Sequence, residues 1–529
     1  MTQPDAVVLS GGTIVDGTGS PSFRGDVLIE GGRITGVGMV SAPPGAQHID
    51  VSGHMVAPGF VDMHSHSDLA LLSESIPEVK IRQGITTEVI GQDGTSYAPA
   101  TSEGLAASRE LFAPINGEGE TLDWSWSSVR EFLACFQNIG PNAAYLLPQG
   151  TIRFSVVGAD DRDPTPAEID RMCSLVDQGM RDGAFGLSTG LTYPPGTWTP
   201  TDEVVELSRV AGARGGIYVT HHRDYGDGLL EAIEETLEIG LRADIPVHFS
   251  HFHISGPGRE GRAEEFLAPI ETARASGQRV TLDAYPYTAG CTTLTAFLPD
   301  WLKARSAEAI LAELRDEAGR ARVVAELRAS GPGKTVAVGW EDFAVGGAAG
   351  GVADDIRGER LGEAAQTRGT TLEELICDLL VDSSMRVAVV IFQGHEDNVR
   401  RVLADAEASV GTDGILACGV PHPRAAGTFP CILRYAREGL FSFEEAIAKA
   451  SGRAASTLGI RDRGMIRNGQ AADVVVFDPT SVADTADYVA PVASPVGIPH
   501  VLVNGKFVVR DSALTGELPG RVLHSNGRP

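Results

Sequence analysis

Two histidines one residue apart, His64 and His66, close the stretch Ala57-Pro58-Gly59-Phe60-Val61-Asp62-Met63-His64-Ser65-His66. On a β-strand alternate side chains share a face, so both rings project the same way from the strand's C-terminal end. Imidazole is the commonest side-chain ligand of zinc and its neighbours, and two rings on one face can grip one ion. Taken alone, the pair suits a turn after a buried strand equally well. Three more apolar runs end in groups of the same kind: Ile217-Tyr218-Val219-Thr220-His221, Val247-His248-Phe249-Ser250-His251 and Ala408-Ser409-Val410-Gly411-Thr412-Asp413. A lone Asp-Gly such as Asp413-Gly414 is usually a turn, but four strand ends carrying ligand or acid-base groups in order form a set. His222 and His248 fall on the opposite faces and read as structural.

The elements that must position this set alternate apolar runs with helical stretches. The runs are 56 to 63, 85 to 91, 142 to 148, 184 to 190, 216 to 221, 244 to 250, 279 to 285, 387 to 392 and 407 to 413, with helices such as 203 to 214 and 228 to 242 between them. This βα alternation predicts an α/β fold with a parallel sheet closed into a (β/α)8 TIM-like barrel, whose C-terminal strand ends gather the active site. Nine runs compete for eight places, so either 387 to 392 or 142 to 148 is peripheral. Residues 292 to 386 break the rhythm with a charged amphipathic helix near 304 to 328 and a glycine-rich loop at 346 to 351; an insertion there is expected to cover the mouth as a lid. Short strands and Gly-Gly turns fill both ends of the chain, including a strand at 472 to 477 and a hairpin at 501 to 509 whose Asn504-Gly505 favours a type I′ turn. The expected organisation is a small β-sandwich domain from residues 1–56 and 460–529 around a catalytic barrel of residues 57–459.

Composition bounds the partners. The chain has 529 residues, 42% of them hydrophobic, and a formal charge of −27, which argues against nucleic-acid or anionic-membrane partners because no basic footprint meets their phosphates. Six cysteines lack CxxC spacing, so neither a zinc ribbon nor a disulfide framework is indicated. With no basic n-region and no run of about 18 apolar residues, the expected location is cytoplasmic and the expected partner a small-molecule substrate, with a homo-oligomer left open. Gly331-Pro332-Gly333-Lys334-Thr335 looks like the end of a P-loop, but Arg328 occupies the first glycine's place.

The order His-x-His, His, His, Asp is similar to that of the amidohydrolase superfamily, and within it the chain resembles the N-acyl-D-amino-acid deacylases (D-aminoacylases). Further matching stretches are Gly84-Ile85-Thr86-Thr87, Gly186-Leu187-Ser188-Thr189-Gly190, Asp283-Ala284-Tyr285-Pro286-Tyr287, His422-Pro423-Arg424 and the closing Gly469-Gln470-Ala471-Ala472-Asp473. The resemblance implies one or two zinc ions, with His64 and His66 facing one position, His221 and His251 the other, tighter one, and Asp413 as catalytic carboxylate. It implies removal of the acyl group from an N-acyl-D-amino acid by a metal-activated water, Asp413 acting as base; the D preference rests wholly on the resemblance. One departure stands out: where the family carries a cysteine ligand in Gly-Asn-Cys-Gly, this chain reads Gly91-Gln92-Asp93-Gly94. As an oxygen ligand Asp93 would widen the plausible metals to manganese, cobalt or iron; the alternative is an Asx turn. No lysine ends the fourth strand, so no carbamylated-lysine bridge is expected. Arg424 matches the arginine that grips the substrate's α-carboxylate, and His253 stands where the family often has a lysine, which weakens the case for an acidic substrate side chain. Tyr193, Tyr285 and Tyr287 complete the expected pocket. The alternatives are a hydrolase of cyclic amides or dipeptides, similar to dihydroorotase, hydantoinase or isoaspartyl dipeptidase, and a metal-free barrel serving as a scaffold.

Overall fold

The computed structural model describes residues 6–73, 77–303, 305–333, 336–348 and 355–525. Its centre is a ring of eight parallel strands: Phe60–Asp62, Ile85–Ile90, the broken strand Asn142–Tyr145 and Leu147–Pro148, Gly186–Gly190, Ile217–His221, Val247–Phe249, Val280–Ala284 and Ala408–Val410. Helices cover the outside and side chains fill the inside, so these strands read as unbroken buried runs; every residue of Ile85–Ile90 is buried. The ring closes where Met63 N donates to Val410 O (3.1 Å) and Asp413 N donates to His64 O (2.8 Å). The last of these bonds ties the backbone of the first histidine directly to that of the candidate base.

The helices form for local reasons. Pro166–Arg181 opens with Thr165 and Glu168 in a capping box and proline in its first turn, satisfying amide groups that a helix start leaves orphaned. Gly179 lets it lie close on the barrel, since a Cβ there would meet Leu147 Cδ2 at 2.4 Å.

Of the two runs competing for one place, residues 142 to 148 are in the ring. Val387–Phe392 is instead the centre of an antiparallel sheet between Ala289–Thr293 and Phe343–Ala348. It is apolar because the inserted segment has a core of its own, built around residues such as Leu302, Leu327, Phe343, Leu379 and Val389. The helix expected near 304 to 328 is two helices, Ala307–Arg315 and Glu317–Ser330. Asp316 breaks them with an extended ψ of 133°, and its side chain accepts from Gly319 N (2.9 Å) to cap the second. Residues 349 to 351 of the glycine-rich loop, and Lys334 and Thr335 of the P-loop-like stretch, lie outside the described residues. Glu317–Ser330 leads toward that stretch, so a helix precedes it where a P-loop needs a strand.

Both chain ends meet in one nine-stranded sheet, in which Met55–Pro58 pairs antiparallel with Val474–Phe477. On this sheet Val7, Ile29 and Ile34 from the N-terminal strands share one core with Val474, Leu502 and Phe507 from the C-terminal strands. Asn504 (φ 48°) and Gly505 (φ 80°) make the expected turn. Among the described residues no helix is long and apolar enough to cross a membrane.

Candidate metal centre

The strand ends converge on two overlapping groups, His64, His66, Asp93 and Asp413, and Asp93, His221 and His251, all buried. Asp93 belongs to both. It follows Ile85–Ile90 in a turn where Gly91 (φ 79°, ψ 27°) and Asp93 itself (φ 56°, ψ 24°) are left-handed. His251 (φ 33°) and Asp413 (φ 47°) are left-handed too. Such conformations cost of order 1 kcal/mol each in non-glycine residues and concentrate where function requires a particular aim.

The separations suit metal ions. Ligand atoms about 2.05 Å from a tetrahedral ion stand about 3.3 Å apart. Asp93 Oδ1 is 3.4 Å from His64 Nε2 and Asp93 Oδ2 is 3.5 Å from His66 Nε2, while Asp413 Oδ1 lies 3.2 Å from His66 Nε2 and 3.7 Å from His64 Nε2. In the second group Asp93 Oδ2 is 3.6 Å from His221 Nδ1 and 3.7 Å from His251 Nε2, and those two nitrogens are 3.1 Å apart. Both ring nitrogens of His64, His66 Nδ1 and Asp93 Oδ1 are buried without a hydrogen-bond partner, a costly state that coordination would relieve at His64 Nε2 and Asp93 Oδ1. The residues fit a binuclear centre with Asp93 between the two positions.

Electrostatics agree. Burial raises the Asp93 carboxyl, but the charge of His64 and hydrogen bonds from the surrounding histidines hold it well below the ordinary range. Burial opposes a charged His66, yet Asp413 and Asp93 lift it to about 9. A field that draws a proton onto a buried imidazole draws a divalent cation as well.

The outer nitrogens are held from behind. Thr192 Oγ1 is 2.7 Å from His221 Nε2 and Tyr225 Oη is 3.0 Å from His251 Nδ1, which leaves His221 Nδ1 and His251 Nε2 free to ligate. Asp283 Oδ1 accepts from His251 N (2.9 Å) while its Oδ2 bonds His248 Nε2 (2.8 Å), so His248 is structural as expected. Tyr225→Phe is expected to weaken metal affinity about tenfold; chelator competition measures it, and unaltered affinity would remove Tyr225 from this role.

Beneath the centre lies a network that sequence reasoning missed. Lys80, fully buried, donates to Asp62 Oδ2 (2.7 Å), Ser65 Oγ (3.0 Å) and Thr412 Oγ1 (2.5 Å), and Asp62 Oδ1 accepts from Thr412 N (2.7 Å). Glu88 accepts from the Ser65 and Ser67 hydroxyls, each at 2.6 Å. The first, second and eighth strands are thereby locked together directly under His64, His66 and Asp413. A lysine between Val79 and Ile81 was the one available signal.

Above the metal residues is a cavity of about 80 Å³. Arg424, 1% exposed, places Nη1 2.9 Å from Asp413 Oδ2, donates from Nη2 to Cys291 O (3.0 Å) and lies 4.8 Å from the Tyr285 ring centre. Burial raises the Asp413 carboxyl, but the Arg424 guanidinium together with the charges of His251 and His64 and a hydrogen bond from His66 holds it well below the ordinary range. His253, Tyr193 and Tyr285 line the cavity, as do Thr192, Tyr225 and Cys291, which had not been singled out. Tyr287 does not line it. The chain turns at Pro286, and the Tyr287 ring packs edge-on against His422 (centroids 5.5 Å) behind the wall. Phe297 and Val336 of the inserted segment, with Ile391 of the adjoining strand Val387–Phe392, also line the cavity.

The chain matches the model of the amidohydrolase family over residues 47–509 and belongs to that family. It is 36% identical to a D-aminoacylase of Alcaligenes xylosoxydans xylosoxydans, covering 99% of this chain and 98% of that one. An N-acyl-D-aspartate deacylase of the same organism is 34% identical, covering 98% and 94%. The crystal structure of the N-acyl-D-glutamate deacylase from Bordetella bronchiseptica, complexed with zinc and a phosphonate mimic of the tetrahedral intermediate, superposes with a TM-score of 0.82 at 32% identity, covering 99% of this chain and all of that one.

Proposed function

We propose that the protein is a metal-dependent amide hydrolase that removes the acyl group from N-acyl-D-amino acids. The observation that carries this reading is one cavity holding both the Asp93-centred histidine cluster and a buried arginine directly beside the candidate base. Zinc held by His64, His66, Asp93, His221 and His251 would supply a nucleophilic water at neutral pH and polarise the amide carbonyl; the oxygen of Asp93 also admits manganese, cobalt or iron.

The chain's own residues supply the rest. Arg424 receives the substrate's α-carboxylate. As the guanidinium turns toward that carboxylate, its hold on Asp413 weakens and Asp413 gains the basicity to take a proton from the attacking water. A C–O bond forms at the acyl carbon, the C–N bond breaks, and Asp413 returns the proton to the departing amine, releasing a carboxylic acid and a free amino acid. Arg424→Lys replaces a planar fork by a point charge and is expected to lower kcat/KM about 100-fold, mostly through KM; an unchanged KM would separate Arg424 from carboxylate recognition.

Arg424 is the one lysine or arginine among the residues lining the cavity, and Phe297, Val336, Ile391 and Ile415 are apolar. A single carboxylate therefore finds a partner, which supports substrates with neutral side chains. No lysine among these lining residues could act as a carbamylated bridge, and Asp93 holds the central position, so the cyclic-amide reading is the weaker one. We further propose that residues 292–386 act as the lid of the catalytic domain 57–459, and that residues 1–56 and 460–529 form the second domain. None of the six cysteines is in a disulfide, which suits a reducing cytoplasm, where we place the protein. The test is a panel of N-acetyl and longer N-acyl derivatives of D- and L-amino acids with zinc, manganese and cobalt added in turn. Hydrolysis of D substrates is expected; hydrolysis confined to L substrates would overturn the D assignment.

A further inference from the structure

A second cavity, about 180 Å³, lies behind the first. Ile115, Tyr193 and Ala296 line both, and form the wall between them. Most of its other lining is apolar, Leu111 and Phe112 from helix Ser102–Asn116 with Phe154, Trp198, Leu298 and Ile310, and the hydroxyls of Thr95, Thr293, Thr295 and Ser306 are the uncharged polar groups. Among the described lining residues the charged ones are Glu110, Lys303 and Arg305, all toward solvent. An apolar cavity of about 150 Å³ accepts benzene, so this one has room for at least six carbons.

Barrel topology says which end of the substrate reaches it. Asp413, beside which Arg424 sits, follows the eighth strand, and Tyr193 follows the fourth. In a closed ring of eight these are diametrically opposite, with the metal-facing residues between them. A substrate whose carboxylate is fixed at the eighth strand, and whose scissile carbonyl lies at the centre, sends its acyl group toward the fourth. There it meets Tyr193, whose ring lies 4.8 Å from that of His221 and whose hydroxyl is 2.8 Å from Thr292 Oγ1.

We propose that the second cavity is an acyl-chain subsite, and that the enzyme's preferred substrates are N-acyl-D-amino acids bearing medium-chain acyl groups of about eight carbons. Resting on the deacylase reading above, this adds what that reading leaves open, the chemistry of the acyl group. The group enters past Tyr193 and Ala296 and lies along Leu111 and Phe112 toward the charged rim, so that its methylenes leave water while the carbonyl stays at the centre.

The experiment compares N-acetyl-, N-butanoyl- and N-octanoyl-D-leucine, together with N-octanoyl-D-alanine, on the zinc-loaded full-length enzyme. Each buried methylene is worth up to about fourfold, and kcat/KM for the octanoyl compound is expected to exceed that for the acetyl compound at least about 30-fold. Ala107→Leu and Ala307→Leu, which fill the second cavity without reaching the first, are each expected to lower the octanoyl-to-acetyl ratio at least tenfold. A ratio is read, so partial loss of folded protein cancels. Acetyl substrates cleaved with no gain on lengthening would overturn the acyl subsite alone. If the two substitutions altered the leucine-to-alanine preference and left the acyl ratio untouched, the cavity would belong to the side chain and the proposal would fall. No cleavage of any N-acyl-D-amino acid would overturn the deacylase reading and this one with it.

Discussion

Asp93→Ala is expected to empty the His221/His251 position of metal and to lower kcat/KM on the order of 10⁴-fold, the several kcal/mol that an ion contributes by activating water and polarising a carbonyl. The substitution removes the carboxylate that faces all four histidines at 3.4 to 3.7 Å, leaving two pairs with nothing between them. Asp93→Cys separates the ligand role from the turn role. A thiolate binds zinc at about 2.3 Å against 2.0 to 2.2 Å for a carboxylate oxygen, and is softer. That variant is therefore expected to keep zinc and much of its zinc-supported rate, while losing activation by manganese. Metal analysis of purified protein and assays after reconstitution with each ion read both results. Full metal content and full rate in Asp93→Ala would reduce Asp93 to the residue that shapes a left-handed turn.

What the sequence could show of this centre followed from periodicity and order. His64, His66, His221, His251 and Asp413 are legible because strands alternate faces and a barrel collects its C-terminal strand ends at one rim. Asp93 was legible only by position, since an aspartate after glycine in a turn has an ordinary explanation. The supports were not legible: Lys80 meets Thr412 across 332 residues of sequence, and Tyr225 reaches His251 from a loop with no pattern of its own. Residues 387 to 392 illustrate the same limit. An apolar run reports burial, and the core that buries it can belong to a barrel or to an insertion. Tyr287 escapes such reading because the strand ends at Ala284, and beyond it the chain carries the ring against His422 and out of the cavity lining.

Asp413→Asn is expected to lower kcat about 10³-fold or more, within the range that a positioned general base contributes, with metal content retained because Asp93 and the histidines remain. The amide cannot take the proton from water. It also ceases to balance Arg424, and a buried guanidinium without its partner costs about 3 to 5 kcal/mol. Loss of rate and loss of stability would then be confounded, and two measurements divide them. In Arg424→Met/Asp413→Asn the unbalanced charge is gone, so the denaturation midpoint should recover toward wild type while kcat stays low. Acid titration of the metal-free protein gives the second. The Asp413 carboxyl is held below its unfolded value of about 3.9, so its contribution to stability is complete above that pH and is lost as pH falls below it toward the folded value. Asp413→Asn should abolish that component and flatten the acid limb. A variant that kept the limb but lost the rate would show that Arg424 is neutralised by another group, while one that kept the rate would place the base elsewhere in the cavity.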